Sequence, residues 1–209
     1  EPMDERRKSV KETLKRCDWA EHSAVEREYH DETWGVPVRD EQELFRMLLL
    51  EGQQAGLSWK TILDKRSAIC DAFDDFLPEK LVLYDEAKLA ALLGNERIIR
   101  NRLKIRAALQ NAQAYFRLCE EKGSLSRYLW SFVGNHPIQN HWAASAEVPV
   151  HTELSDQISR ELKRYGFKFV GSTIIYSFMQ AVGMVNDHLV SCCRYEAVRE
   201  LSEAKGAVR

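Results

Sequence analysis

Residues 41–59 read EQELFRMLLLEGQQAGLSW, and this stretch decides the fold. Leu44, Phe45, Met47, Leu48, Leu49 and Leu50 follow helical spacing, so residues 41–51 read as a largely buried helix. Gly52 and Gly56 are expected to break it, and Trp59 opens the next helical run. The same spacing recurs in 59–72, 86–93, 102–118, 125–133, 155–165 and 172–184, with Gly94, Gly123, Gly134, Pro137 and Gly166 where helices should stop. Strand-like alternation is scarce, and the pattern predicts an all-α fold. The polar stretch 134–152, with Pro137 and Pro149, reads as a crossing between two lobes, with Ser155 or Asp156 capping the helix that follows.

Glu51 is the unusual residue of the opening stretch. A carboxylate at the end of a buried helix costs desolvation free energy unless something hydrogen-bonds or neutralises it. On one reading the partner is a ligand, with the two glycines letting it approach the backbone and Trp59 offering a flat face. On the other, Glu51 is a capping residue beside a core tryptophan. The segment EYHDETWGVP, residues 28–37, adds Tyr29 and Trp34. Aromatic faces around one buried carboxylate suit a flat cationic heterocycle, although each ring alone is equally a core residue.

Cys17 and His30 near the start, and His188 and Cys192 in NDHLVSCC at 186–193, form a candidate metal set. The latter two are spaced i, i+4 and on a helix would share one face. Two cysteines and two histidines suit tetrahedral zinc, and four protein ligands leave no place for a reactive water. Such an ion would be structural, joining the N-terminal segment to the C-terminal one and fixing the backbone that presents Tyr29 and Trp34. Packed core residues are the alternative reading of all four.

The chain of 209 residues, 44% hydrophobic, can bury a substantial core. No run approaches the roughly 18 apolar residues of a membrane span. The charged start and five cysteines without framework spacing fit a reducing, cytoplasmic protein. A net charge of −2 argues against coating nucleic acid by bulk attraction, but it conceals a local patch. RIIRNRLKIR, residues 97–106, carries Arg97, Arg100, Arg102, Lys104 and Arg106 with no acid among them. Arg160, Lys163, Arg164 and Lys168 frame Phe167 and Phe169 in a second basic stretch. Both fit a phosphate backbone, and both fit a solvated helix face. No glycine-rich phosphate loop suggests a nucleotide cofactor.

Taken in order, C-x-W at Cys17, YHDETWGVP, LEGQQAGLSW, IIRNRLKI, WSFV, GFKFVGSTIIYSFMQAVGMVNDH and the final H-x3-C resemble the type I 3-methyladenine DNA glycosylases from about Cys17 to Cys193. The resemblance implies a two-lobed, all-α helix-hairpin-helix glycosylase fold, with double-stranded DNA across the cleft and one structural zinc held by Cys17, His30, His188 and Cys192. It divides the chain into an N-terminal extension (1–16), a glycosylase domain (17–193) and a C-terminal tail (194–209), acting as a monomer. It also implies hydrolysis of the N-glycosidic bond of 3-methyladenine in alkylated DNA, leaving an abasic site.

By the same resemblance Glu51 recognises the extruded base and is the catalytic-site carboxylate, and Tyr29, Trp59, Trp34 and Trp19 form the pocket. Leu57 wedges into the duplex with Gly56 allowing close approach. Arg100, Arg102 and Lys104 belong to a hairpin that grips phosphate. No general base is assigned. Glu26 stands where relatives usually carry an aromatic residue, and Arg97 and Leu103 where they can carry glycine. A rival reading, a zinc-stapled helical sensor of distorted DNA that cleaves nothing, leaves Glu51 without a role.

Overall fold

A computed structural model describes residues 14–204. The chain is mostly helical. In order it forms α1 (Ala24–Glu32), α2 (Glu41–Gln54), α3 (Trp59–Ala72), α4 (Pro78–Leu81), α5 (Glu86–Leu93), α6 (Arg102–Lys122), α7 (Leu125–Ser131), α8 (Glu153–Tyr165), α9 (Ser172–Ala181) and α10 (Tyr195–Ala204). Two short strands, β1 (Ile138–Gln139) and β2 (Val185–Asn186), pair in parallel, Ile138 opposite Val185. No described helix is long and apolar enough to cross a membrane.

The central element is α2, which packs against α3, α6, α7 and α9. Leu44, Phe45 and Leu50 are wholly buried and Leu48 nearly so, which explains a helix apolar on more than one face. Asp40 caps it by accepting from the Glu43 amide at 2.8 Å, and Ser58 caps α3 by accepting from the Thr61 amide at 3.2 Å.

Four expectations change here. Gly52 does not end α2; the helix runs on to Gln54, and a Cβ at Gly52 would lie 3.1 Å from the Phe169 Cβ, so this glycine serves close packing. The cap of α8 is Thr152, which accepts from the Ser155 amide at 3.1 Å, while the Ser155 hydroxyl accepts from the Thr152 amide at 2.8 Å. Residues 194–209 are not simply a tail, because α10 buries Tyr195 and Val198; the last five residues and residues 1–13 lie outside the described part. Finally, α1 has no counterpart among the expected helices. Its inward face is Glu26, Tyr29 and His30, so a polar sequence hides an i, i+3, i+4 pattern of burial.

Candidate active site and metal centre

The C-terminal turn of α2 carries Glu51 into a cavity of ≈ 430 Å³, within the roughly 300–1,000 Å³ of small-ligand sites. Trp19, Trp34 and Trp59 line it with Glu51. The Glu51 side chain is buried, and desolvation alone pushes its carboxyl up to about 8, with no bond or cation among the described residues offsetting it. In the free protein at pH 7 it is therefore mostly the neutral acid. Tyr29 does not line the cavity. It stands behind the wall, with ring centroids 5.3 Å from Trp59 and 6.4 Å from Trp19. Its hydroxyl and the Trp59 indole N–H are both buried without a hydrogen-bond partner. Unpartnered buried polar groups of this kind are uncommon in packed cores, and of the two only the Trp59 indole belongs to a residue that lines the cavity.

Several wall residues escape the sequence reading: Gln54, Thr173, Tyr176, Ser177, Gln180 and Asp187. Four of them sit on α9 at i, i+3, i+4 and i+7, a polar stripe in an otherwise apolar helix. That stripe is the signal that could have found them. Asp187 is almost fully buried and saturated. Its Oδ1 accepts from Asn140 Nδ2 at 2.7 Å and Trp142 Nε1 at 2.9 Å, and its Oδ2 accepts from the Tyr176 hydroxyl at 2.5 Å and Gln180 Nε2 at 2.9 Å. Glu26, also buried, lines the same cavity and accepts from the Ser23 hydroxyl at 2.7 Å.

Next to the cavity Cys17, His30, His188 and Cys192 converge, all buried, with their donor atoms within 4.8 Å of one another. The Cys192 Sγ lies 3.4 Å from His30 Nε2 and 3.6 Å from His188 Nδ1, and the Cys17 Sγ lies 3.7 Å from His188 Nδ1. Zinc bonds of about 2.0 and 2.3 Å at tetrahedral angles require nitrogen–sulfur edges of about 3.5 Å, so the set fits. The outer nitrogens are fixed: His30 Nδ1 pairs with Asp31 at 2.9 Å, and His188 Nε2 with the Trp34 carbonyl at 3.0 Å. Asp31 is held in turn by Arg16, Nε to Oδ1 at 2.9 Å. The Cys192 thiol is held far below its ordinary range, first by the hydrogen bond from Cys17 and then by the two imidazoles, while the resulting thiolate pushes Cys17 up. A dication bound there would offset that mutual repulsion and let both thiols ionise.

His188 and Cys192 do not lie on a helix. They occupy the turns between β2 and α10, and the Cys192 amide donates to the Leu189 carbonyl at 2.8 Å, which folds Cys192 back beside His188. The i, i+4 spacing thus works through a turn. Ring contacts join this cluster to the cavity: His188 meets Trp34 at 4.8 Å and His30 meets Trp19 at 5.4 Å. Gly35, at φ +84°, makes room, since a Cβ there would lie 3.0 Å from His188 Nε2.

The expected DNA-facing residues separate into two groups. Gly56 (φ +77°) sits in an open turn where an added Cβ would meet nothing within 4 Å, and Leu57 beside it is 38% exposed. Arg100 and Arg102 are not buried, and Leu103 is exposed. Lys104 is not available to a phosphate: it is buried, and its Nζ donates to the carbonyls of Gln53 and Ala55. Arg106 is engaged by Glu86 at 3.0 Å. In the second basic stretch Phe167 is a core residue, so it offers no face to a nucleic acid.

This arrangement has close counterparts among known proteins. The family model for methyladenine glycosylase matches residues 19–195. The chain is 44% identical over 182 residues to DNA-3-methyladenine glycosylase 1 of Escherichia coli, covering 87% of this chain and 97% of that one. It is 42% identical over 177 residues to DNA-3-methyladenine glycosylase of Haemophilus influenzae, covering 85% and 96%. The crystal structure of a variant of 3-methyladenine DNA glycosylase I in complex with 3-methyladenine superposes with a TM-score of 0.83 at 36% identity, covering 86% of this chain and 97% of that one.

Proposed function

The chain belongs to the methyladenine glycosylase family, and we propose from that premise that Glu51 is the group with which it recognises its base. The protein is a base-excision DNA glycosylase acting on 3-methyladenine. It hydrolyses the N-glycosidic bond, releases the free base and leaves an abasic site. The observation that carries the role of Glu51 is its burial in an indole-lined cavity with nothing among the described residues to offset the desolvation.

Methylation at N3 gives the purine positive charge and makes it a good leaving group, so the enzyme need not protonate it and gains most from binding and orientation. The lesion first leaves the stack, at a cost of a few kcal/mol that a weakened pair reduces. Within the cavity the indole faces attract the cationic ring, and Glu51 accepts from its N–H groups. That contact favours the carboxylate, so base binding draws the Glu51 proton off. Tyr29, behind Trp59, holds the indole in place. Leu57, on its open turn, fills the gap left in the duplex, and Arg100 and Arg102 reach phosphates. Both oxygens of Asp187 already accept from two donors each, leaving no acceptor position for an attacking water, and we assign no general base.

We assign the Cys17, His30, His188 and Cys192 cluster to a structural zinc. When bound, zinc supplies a cross-link rather than a Lewis acid, because protein donors fill its coordination. The hairpin between α5 and α6 and a two-lobed arrangement with double-stranded DNA across the cleft complete the reading, with residues 17–193 as the catalytic unit of a cytoplasmic monomer. Release of free bases from methylated duplex, compared between the wild-type chain and Glu51→Gln at equal metal content, tests it. Release of 3-methyladenine by the wild type, sharply reduced in the variant, is expected; equal release by both would remove Glu51 from the site.

A further inference from the structure

We propose that Lys104 is a positioning residue that registers the DNA-gripping hairpin against the base-recognising end of α2; this rests on the glycosylase reading above. Lys104 lies in the first turn of α6, where its amide donates to the capping Asn101 side chain at 3.1 Å. Its neighbours Arg100 and Arg102 are open to solvent, but Lys104 is only 6% exposed. Its ammonium donates to the carbonyl of Gln53 at 2.8 Å and of Ala55 at 2.6 Å.

Those carbonyls belong to the C-terminal end of α2. They follow Glu51 by two and four residues and directly precede Gly56 and Leu57. The final carbonyls of a helix lack intrahelical donors and carry the negative end of its dipole, so a buried cation there satisfies both needs. One side chain therefore links the basic hairpin to the turn bearing the exposed Leu57 and to the helix end bearing Glu51. Phosphates held by Arg100 and Arg102 fix the first turn of α6, and Lys104 passes that placement to the wedge and the pocket. Displacement of reacting groups by about 1 Å can cost about 100-fold in rate, so this link bears on turnover rather than on simple DNA affinity.

The test uses the full chain with Lys104→Met, which keeps length without charge, and Lys104→Arg, which restores the charge. Three readouts are taken: excision of 3-methyladenine from methylated duplex, affinity for free 3-methyladenine, and the salt dependence of binding to duplex bearing an abasic-site analogue. Lys104→Met is expected to lower kcat on duplex by about tenfold or more with a smaller change in KM, to hold free-base affinity within about twofold, and to leave the salt slope unchanged. Lys104→Arg is expected to recover most of the lost kcat. A salt slope shallower by about 0.9 would make Lys104 an ordinary phosphate contact and overturn the proposal. Unchanged excision, or free-base affinity falling in step with excision, would overturn it as well. A wild-type chain that releases no 3-methyladenine would instead sink the glycosylase reading, so the two failures are distinguishable.

Discussion

Three buried carboxylates, Glu26, Glu51 and Asp187, line one cavity, and the last two are treated in opposite ways. Asp187, 2% exposed, accepts from four side-chain donors on two segments of the chain. Glu51, 4% exposed, has no donor among the described residues to offset its burial, and its carboxyl rises to about 8. A buried carboxylate is tolerable when fully hydrogen-bonded and costly when left alone. The saturated one holds the wall together, and on the proposed reading the unsatisfied one is kept for the ligand. The cost of Glu51 is a stability cost carried by the free protein and, on that reading, relieved by the cationic base.

The strongest way to break this contrast is to neutralise each carboxylate in turn. Glu51→Gln should lower excision by about 100-fold, the scale of one hydrogen bond to a charged group, measured as kcat/KM on methylated duplex. The same substitution should not destabilise the free protein at neutral pH. Asp187→Asn should do the reverse in stability: two donors then meet an amide N–H₂, and the buried network breaks at a cost of about 3 kcal/mol. A melting temperature lower by roughly 6–12 °C in calorimetry is the expected reading. If Asp187→Asn melted normally while Glu51→Gln unfolded, the assignment of roles would be inverted.

A subtler prediction concerns pH. The folded Glu51 holds its proton up to about 8, whereas in the unfolded chain it loses it near the ordinary glutamate value of 4.5. The unfolded state thus binds fewer protons between those values, and stability falls as pH rises through that window by about 1.4 kcal/mol per unit, levelling above it. Glu51→Gln lacks this slope, so its advantage over wild type grows from pH 5 to about 8 in denaturant titrations. With base recognition through the carboxylate, as proposed, kcat/KM for the wild type should rise about tenfold from pH 7 to a plateau above the pKa of the free enzyme. The smallest effect is expected at the surface: Arg102→Ala should weaken duplex binding a few-fold and make the salt slope shallower by about 0.9, with free-base affinity intact.

The helical framework was legible because apolar spacing alone defines α3 and α5, whose limits match the expected 59–72 and 86–93. The convergence of Cys17, His30, His188 and Cys192 was legible because together they form a complete tetrahedral donor set, and the burial of Glu51 because it ends an apolar helical run. Other parts were hidden for physical reasons. Helix α1 buries polar residues, so hydrophobic periodicity passes over it. Gly52 looks like a helix stop but exists to let Phe169 approach. Lys104 is one of five like charges in sequence, and only the fold shows that its ammonium turns inward to α2. Asp187 has no local signature, since its four donors come from residues 7 to 47 positions away.

The most direct test of the contrast is the titration of the Glu51 carboxyl itself, followed by NMR of chain labelled at glutamate side-chain carbons and assigned by loss of the signal in Glu51→Gln. The expected midpoint is near 8 in the free protein and falls markedly when 3-methyladenine saturates the cavity. A midpoint in the ordinary glutamate range, unmoved by the base, would contradict the role given to Glu51.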